Sequence, residues 1–252
     1  ENPPRPMKYR AAVNEGYIYA LDSDPRAVVF GEDVAVKGGV QGITKGLAKR
    51  FGEHRVFDTP LAEGLIVGLM TGMASSGLRP IGEAEYGNFI LCGMGQLANK
   101  AGTFYYMNHR PLSAVLRIPQ GGIFAGGHFH SACIETLFVH LPGFKVVCPS
   151  TAYDAKGLFI SAFEDPNFVI YCDWVGAYDW ARNVPQEPYR IPLSKADVKT
   201  TGKDVTIITY GALMVRMAME AAEELKQEGI ELEVVDLRSF WVEEDMPFDI
   251  VT

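Results

Sequence analysis

Short apolar runs alternate along this chain with longer segments whose apolar positions recur every three or four residues. AVVFGEDV (27–34) is apolar and β-branched until it breaks into acids, the pattern of a strand buried on both faces of a parallel sheet. RVFD (55–58), RPIGEAEY (79–86), LSAVLRIP (112–119), FKVVCPS (144–150) and NFVIYCD (167–173) read as further strands. Between them, 8–22 carries Val13, Tyr17, Ala20 and Leu21 at helical spacing, 38–52 is glycine punctuation followed by a short helix, and 87–108 reads as mostly helical. TAYDAKGLFISAFED (151–165) predicts a helix capped by Thr151, with Asp154 in its first turn. QGGIFAGGHFHS (120–131) is a long glycine-rich loop. Strands alternating with helices predict an α/β fold with a mainly parallel sheet.

The segment TPLAEGLIVGLMTGMASSG (59–77) predicts a helix with Thr59 as N-cap and Pro60 at the first helical position. Glu63 is its one carboxylate. Gly64, Gly68 and Gly72 recur every four residues, so one stripe of the helix can approach a neighbour closely. Each glycine costs up to about 1 kcal/mol of helix propensity, which calls for a packing reason. The stripe is not a membrane dimer motif, because the segment is short and its flanks are polar.

Residues 174–202 are irregular and proline-bearing, and read as a linker after a first domain over 7–173. DVTIITYG (204–211), a helix over 213–228 and ELEVVDLR (231–238) begin a second α/β unit, 203–252. Two parallel strands do not stand alone, so this unit is expected to be incomplete or to lean on another chain.

Composition narrows the function. The chain has 252 residues and a net charge of −8, which argues against nonspecific nucleic-acid binding. Cys92, Cys133, Cys148 and Cys172 form no CxxC pair and read as reduced thiols, three of them (Cys92, Cys148, Cys172) in apolar, buried-looking settings. No apolar run is long enough to span a membrane, and ENPPRPMKYR has no signal-peptide core.

Few residues carry chemistry. Glu63 is either an acid favoured by a helix N-terminus, worth about 0.3–1 kcal/mol, or a carboxyl in a dry setting that shares a proton with a ligand. His128 and His130 belong either to an ordinary glycine-rich loop or to a mobile loop with an acid/base histidine. HxH without a third ligand nearby is a weak metal signal. His140 reads as structural, and His54 and His109 receive no role. GxGxxG, Walker A and GxSxG sequences are all missing, which leaves no evident phosphate cradle.

VVFGEDVAVKGGVQGITKGL, RVFDTPLAE, GLRPIGEAEY, GGHFHS, HLPGFKVVCPSTAYDAKGL and GKDVTIITYGA, in that order, resemble the β subunit of thiamine-diphosphate-dependent 2-oxo acid dehydrogenases, which act on pyruvate, branched-chain 2-oxo acids or acetoin. The resemblance covers about residues 8–250. It implies a pyrimidine-binding domain, a linker and a partial transketolase C-terminal-like domain. It also implies an α subunit, in an α2β2 heterotetramer, that holds the cofactor's diphosphate and magnesium, since a GDG…N motif is not found here. Glu63 then matches the glutamate that shares a proton with the cofactor's pyrimidine nitrogen, and Phe89, with Tyr86 nearby, the aromatic group that packs on that ring. His130 matches a histidine near the substrate carboxylate or acyl transfer, and His128 matches less well. Leu112, Ala114, Val115, Ala162, Asp165 and Asn167 match a structural potassium site, the alternative being an ordinary capped turn. The implied outcome is decarboxylation of a 2-oxo acid with transfer to a lipoyl group on an acyltransferase core, in cytoplasm or mitochondrial matrix.

Three stretches depart from the family pattern: Met94–Gly95–Gln96 loses an acid, GTFYY (102–106) loses two cations and CDWVGAYDW (172–180) loses an arginine. These changes keep a second outcome open, a carboligase or transketolase-like split enzyme that joins the acyl unit to an aldehyde. A scaffolding subunit without chemistry is a third reading, opposed by Glu63, Phe89 and His130.

Overall fold

The computed structural model describes residues 3–122 and 126–240. Ile123, Phe124 and Ala125 of the glycine-rich loop, and the part of the second unit beyond 240, lie outside the described residues. In chain order the elements are β1 (Arg5–Lys8), α1 (Tyr9–Ser23), β2 (Ala27–Gly31), α2 (Leu47–Phe51), β3 (Val56–Asp58), α3 (Glu63–Ser75), β4 (Arg79–Glu83), α4 (Met94–Gln96), α5 (Phe104–Asn108) and β5 (Ala114–Gln120). They continue as α6 (Glu135–His140), β6 (Lys145–Val147), α7 (Ala152–Glu164), β7 (Phe168–Trp174), β8 (Ala181–Val184), β9 (Asp197–Thr200), β10 (Val205–Thr209), α8 (Ala212–Gln227), β11 (Leu232–Asp236) and β12 (Ser239–Phe240).

The apolar runs become the seven-stranded sheet β12-β6-β7-β5-β4-β2-β3, parallel throughout except for β12 at its edge. β2 and β5 are buried at every position, as continuous β-branched runs require when both faces are covered. α1 and α7 cover one face, where the Tyr17 and Phe159 rings meet at 4.6 Å. α3 and the 87–108 segment cover the other, around Phe30, Ile66, Met70 and Leu116. α7 starts where the sequence predicts, with Thr151 Oγ1 accepting the Asp154 backbone N–H at 3.1 Å.

Four expectations are corrected or refined. First, α3 begins at Glu63, not at Pro60. The Thr59 N–H bonds to the Gly31 carbonyl at 2.9 Å, which extends the β3 side of the β2–β3 pair and keeps Thr59 out of the cap position. Second, among the described residues nothing lies within 4 Å of a Cβ built at Gly68 or Gly72 of the α3 stripe. The close approach lies elsewhere. A Cβ on Gly82 of β4 would sit 2.4 Å from Met70 Sδ, so the glycine that lets α3 lie on the sheet belongs to the strand. Third, 87–108 is mostly helical, as expected, but as a broken series: a 3₁₀ segment Gly87–Gly93, α4, a π-type turn Leu97–Ala101 and α5, in keeping with its glycines at 87, 93, 95 and 102. Fourth, 174–202 is not wholly irregular. β8 pairs antiparallel with β1, and β9 joins β10 and β11 as the third strand of a separate sheet. The two parallel strands of the second unit therefore gain a partner from that stretch, with α8 packed over Leu232 and Val234.

Candidate active site

The strand order reverses at β2. From β2 the chain steps to β3 on one side, then crosses back to β4 on the other. In open parallel sheets the crevice beyond the carboxyl ends of strands at such a point is where ligands bind. Here those ends deliver acids. Glu32 follows β2, Glu85 follows β4, and the three-residue loop after Thr59 brings Glu63 to the first turn of α3.

Glu32 and Glu63 are both 6% exposed. Burial, then the neighbouring Glu63 and Glu85 charges, push the Glu32 carboxyl up to about 7, against a smaller opposing effect from the Ala62 backbone. Its Oε1 is buried with no hydrogen-bond partner. Burial, followed by the Asp33 charge, also raises Glu85, while Lys37 and His130 lower it. Gly93 backs the first turn of α3, since a Cβ there would lie 3.2 Å from the Glu63 carbonyl oxygen.

An aromatic group stands beside the acids. The His130 ring meets Tyr86 at 4.8 Å and Phe89 at 5.2 Å, nearly edge-on to both. Phe89 also stacks with Phe129 at 6.4 Å. His130 Nδ1 lies 2.9 Å from the Gly126 carbonyl, which orients the ring. The structure thus brings His130, Tyr86 and Phe89 together. His128 stays out of this contact, exposed and packed on Phe129 at 3.8 Å. Past the loop, Gln120 takes the Ile134 N–H on Oε1 and donates to Glu135 at 2.6 Å. The Tyr210 hydroxyl of the second unit donates to the same Glu135 at 3.0 Å.

Beneath the acids lies a different carboxylate arrangement. Glu83 and Asp173, fully buried, grip the Arg117 guanidinium at 2.8 and 2.9 Å, and Tyr17 donates to Glu83 at 2.8 Å. Burial raises Asp173 to about 6, with Arg117 opposing it.

The six residues expected at a potassium site lie at or just before the start of β5 and around the end of α7. Leu112, Ala114, Val115 and Ala162 are buried, with Ala114 and Val115 paired to the start of β7, next to the turn Asp165–Asn167. The protein's own cations already reach that turn. Lys145 Nζ binds Asp165 Oδ2 at 2.7 Å, and Arg79 donates to the Phe163 carbonyl. Asp165 Oδ1 accepts the Asn167 N–H at 2.8 Å.

Cys148 and Cys172 are buried and Cys92 and Cys133 exposed, so the apolar neighbours of Cys92 misled the reading of that residue. Among the described residues there is no cluster of three His, Cys, Asp or Glu for a metal, and no helix is long and apolar enough to cross a membrane.

Sequence reasoning missed Glu32 and Glu85. The available signal was position: each is an acid just past the carboxyl end of a buried parallel strand, in GEDV and GEAEY.

Comparison with known proteins gives a consistent picture. The transketolase pyrimidine-binding domain family matches residues 5–172, and the transketolase C-terminal domain family matches 194–248. The chain is 43% identical over 238 residues to the 2-oxoisovalerate dehydrogenase subunit beta of Bacillus subtilis, covering 93% of this chain and 72% of that protein. It is 44% identical over 244 residues to the pyruvate dehydrogenase E1 component subunit beta of the same organism, covering 96% and 73%. Among solved structures, a split-gene transketolase described as an inactive β4 tetramer superposes with a TM-score of 0.74 at 25% identity, over 92% of this chain and 71% of that one.

Proposed function

Because the chain belongs to the transketolase-like family of thiamine-diphosphate-dependent 2-oxo acid dehydrogenase β subunits, we propose that it supplies the pyrimidine-binding half of an active site completed by an α subunit. The observation that carries this reading is the buried Glu32 carboxyl, with a free Oε1, beside Glu63 and Glu85, the latter in turn facing the His130 that packs on Phe89. Such a group is costly unless a ligand with proton donors arrives. An aminopyrimidine offers ring nitrogens, an exocyclic amine and a flat face, which suit the acids and Phe89 respectively.

When bound, thiamine diphosphate supplies a thiazolium ring that takes up the electron pair released as CO2 leaves. Glu63 holds a proton against the pyrimidine nitrogen. Glu32, titrating near neutrality, takes up or returns protons beside it. Phe89 and Tyr86 keep water from the ring face, and His130, held by Gly126, meets the substrate carboxylate or the acyl acceptor. Magnesium and the diphosphate fall to the α subunit, in an α2β2 assembly. The uncovered Gly68–Gly72 stripe of α3 fits a tight subunit contact. The potassium residues fit only in part. Pro166 has no N–H to offer the Ala162 carbonyl, which leaves that oxygen for a cation, yet Lys145 occupies the Asp165 carboxylate. We assign the charge-balancing role to Lys145.

The acceptor proposed is a lipoyl group on an acyltransferase core. The likeness to a split-gene transketolase supports the rival acceptor, an aldehyde. The deciding experiment mixes the chain with its α partner, thiamine diphosphate and magnesium, and follows CO2 release from pyruvate and branched 2-oxo acids with each acceptor. Turnover is expected only in the complete mixture, and Glu63→Gln should lower it by roughly 10²-fold or more. Unchanged turnover would remove Glu63 from its role, and failure of the mixture to bind the cofactor would overturn the function.

A further inference from the structure

Two cavities lie where β8, β9 and α8 meet the start of α7, and both are walled by Thr151, Arg182 and Lys199. They are two compartments of one crevice. The smaller, about 280 Å³, is lined by Tyr9, Trp180, Val215 and Met219, with Arg216 at its wall. The larger, about 500 Å³, is lined by Arg182, Arg190, Lys195, Lys199 and Arg238 against two carboxylates, Asp154 and Asp197. Asp236 and Glu164 stand behind this lining and pair with Lys199 and Arg190.

The cations divide into two groups. Lys199 is held by Asp197 at 2.8 Å, Asp236 at 3.2 Å and Asp154 at 3.3 Å, and Arg238 by Asp197 at 2.8 Å and Asp154 at 2.9 Å. Arg190 is clamped on Glu164 at 2.6 Å. These three are fixed in place rather than free to swing. Arg238 Nε remains buried with no hydrogen-bond partner. Arg182 and Lys195, in contrast, have no ion pair among the described residues, though both line the larger compartment. Burial raises the Asp154 carboxyl, but Lys199, Arg238 and hydrogen bonds from Thr151 and Ser150 outweigh it and hold the group below the ordinary range, while burial raises the neighbouring Asp236. The α7 N-terminus adds its dipole at the same point.

We propose that this crevice binds a small organic phosphate, its phosphoryl group between Arg182, Lys195 and Arg238 and its body in the apolar compartment against Trp180, Val215 and Met219. The donors come from three separate segments: β8, the loop before β9, and the residues after β11. A carboxylate presents two oxygens in one plane and suits a single fork, whereas a phosphoryl group presents three oxygens to donors on different sides. The combined size is that of ordinary small-molecule sites. Because β8 pairs with β1 while Lys199 lies on β9 of the second sheet and Arg238 in the link between β11 and β12, such a ligand would tie these segments together at their junction. This site is separate from the acidic cluster and does not depend on the reaction proposed for it.

The test uses the full chain and phenyl phosphate as probe, with inorganic phosphate and benzoate as comparison ligands, measured by calorimetry. Saturable binding of phenyl phosphate is expected, at least roughly tenfold tighter than either comparison ligand. Arg182→Gln and Lys195→Gln should each weaken it by roughly tenfold while leaving the melting temperature unchanged, because neither side chain is paired in the fold. Absence of saturable binding overturns the proposal, as does equal affinity in the two variants. Benzoate binding as tightly as phenyl phosphate would overturn the phosphoryl assignment, and inorganic phosphate doing so would overturn the role of the apolar compartment.

Discussion

Glu32→Gln should stabilise the folded protein at neutral pH while damaging its chemistry. The carboxyl moves from 4.5 to about 7 on folding. Below the lower value it is protonated in both states and contributes no pH dependence. Between the two, the unfolded chain has released its proton and the native chain still holds it. The native state then binds more protons, so stability falls as pH rises through this window and stays lowered above it. At about 1.4 kcal/mol per pH unit the window is worth up to about 3 kcal/mol. The residue keeps 6% exposure, and water screens part of the penalty, leaving about 1–2 kcal/mol for the substitution to recover. Urea unfolding followed by circular dichroism, at about pH 5 and about pH 8, measures it as the difference between variant and parent. The variant's advantage should be larger by that amount at the higher pH. A pH-independent difference, or a parent that gains on the variant as pH rises, would refute the account of Glu32. In the assembled enzyme the same variant should lose about 10²-fold in turnover, the usual cost of removing a proton-transfer group.

Phe89→Ala should weaken thiamine diphosphate binding by about tenfold in calorimetry with the α subunit present, while Phe89→Tyr retains it, since the flat face is what matters. Arg117→Met strands Glu83 and Asp173 as unpaired buried acids and should cost about 3–5 kcal/mol in chemical denaturation. The parent should melt at the same temperature in potassium and sodium chloride. Lys145→Met, by freeing Asp165, should create a preference for potassium, and a parent that already prefers potassium contradicts the role given to Lys145.

The sheet was legible because its strands are buried on both faces, which forces continuous apolar, β-branched runs such as AVVFG and FVIYC. β8 and β9 were not, because ARNV and DVKT are short, largely polar and partly exposed, and form only by pairing with β1 and β11. The start of α3 was misread because Thr59–Pro60 is good local capping chemistry. The decisive bond, Thr59 N–H to Gly31, is tertiary and leaves no trace in the local pattern. Of the site, Glu63 and His130 stood out from their settings, an acid in an apolar helix and a histidine in a glycine-rich loop, while Phe89 and Tyr86 came from motif resemblance. Their neighbour Glu32 was hidden in plain view, as an acid after a strand is also what any polar turn looks like.

The two sets of buried acids separate structure from function. Glu83 and Asp173 are buried more deeply than Glu32 and Glu63 and each also keeps one oxygen without a donor, yet they share the Arg117 guanidinium and the Tyr17 and Tyr178 hydroxyls, so a cation meets them within the chain. Among the described residues Glu32 and Glu63 have no cation paired to them, and Glu32 keeps an oxygen with no donor at all. A fold gains nothing from that arrangement, since it raises the free energy of the native state at neutral pH. That imbalance supports the proposed ligand, which brings proton donors for the acids and a flat ring for Phe89. Glu83, at the end of β4, differs from Glu32 in its cation: Arg117 and Tyr17 both bind its Oε2, which ties it to the fold.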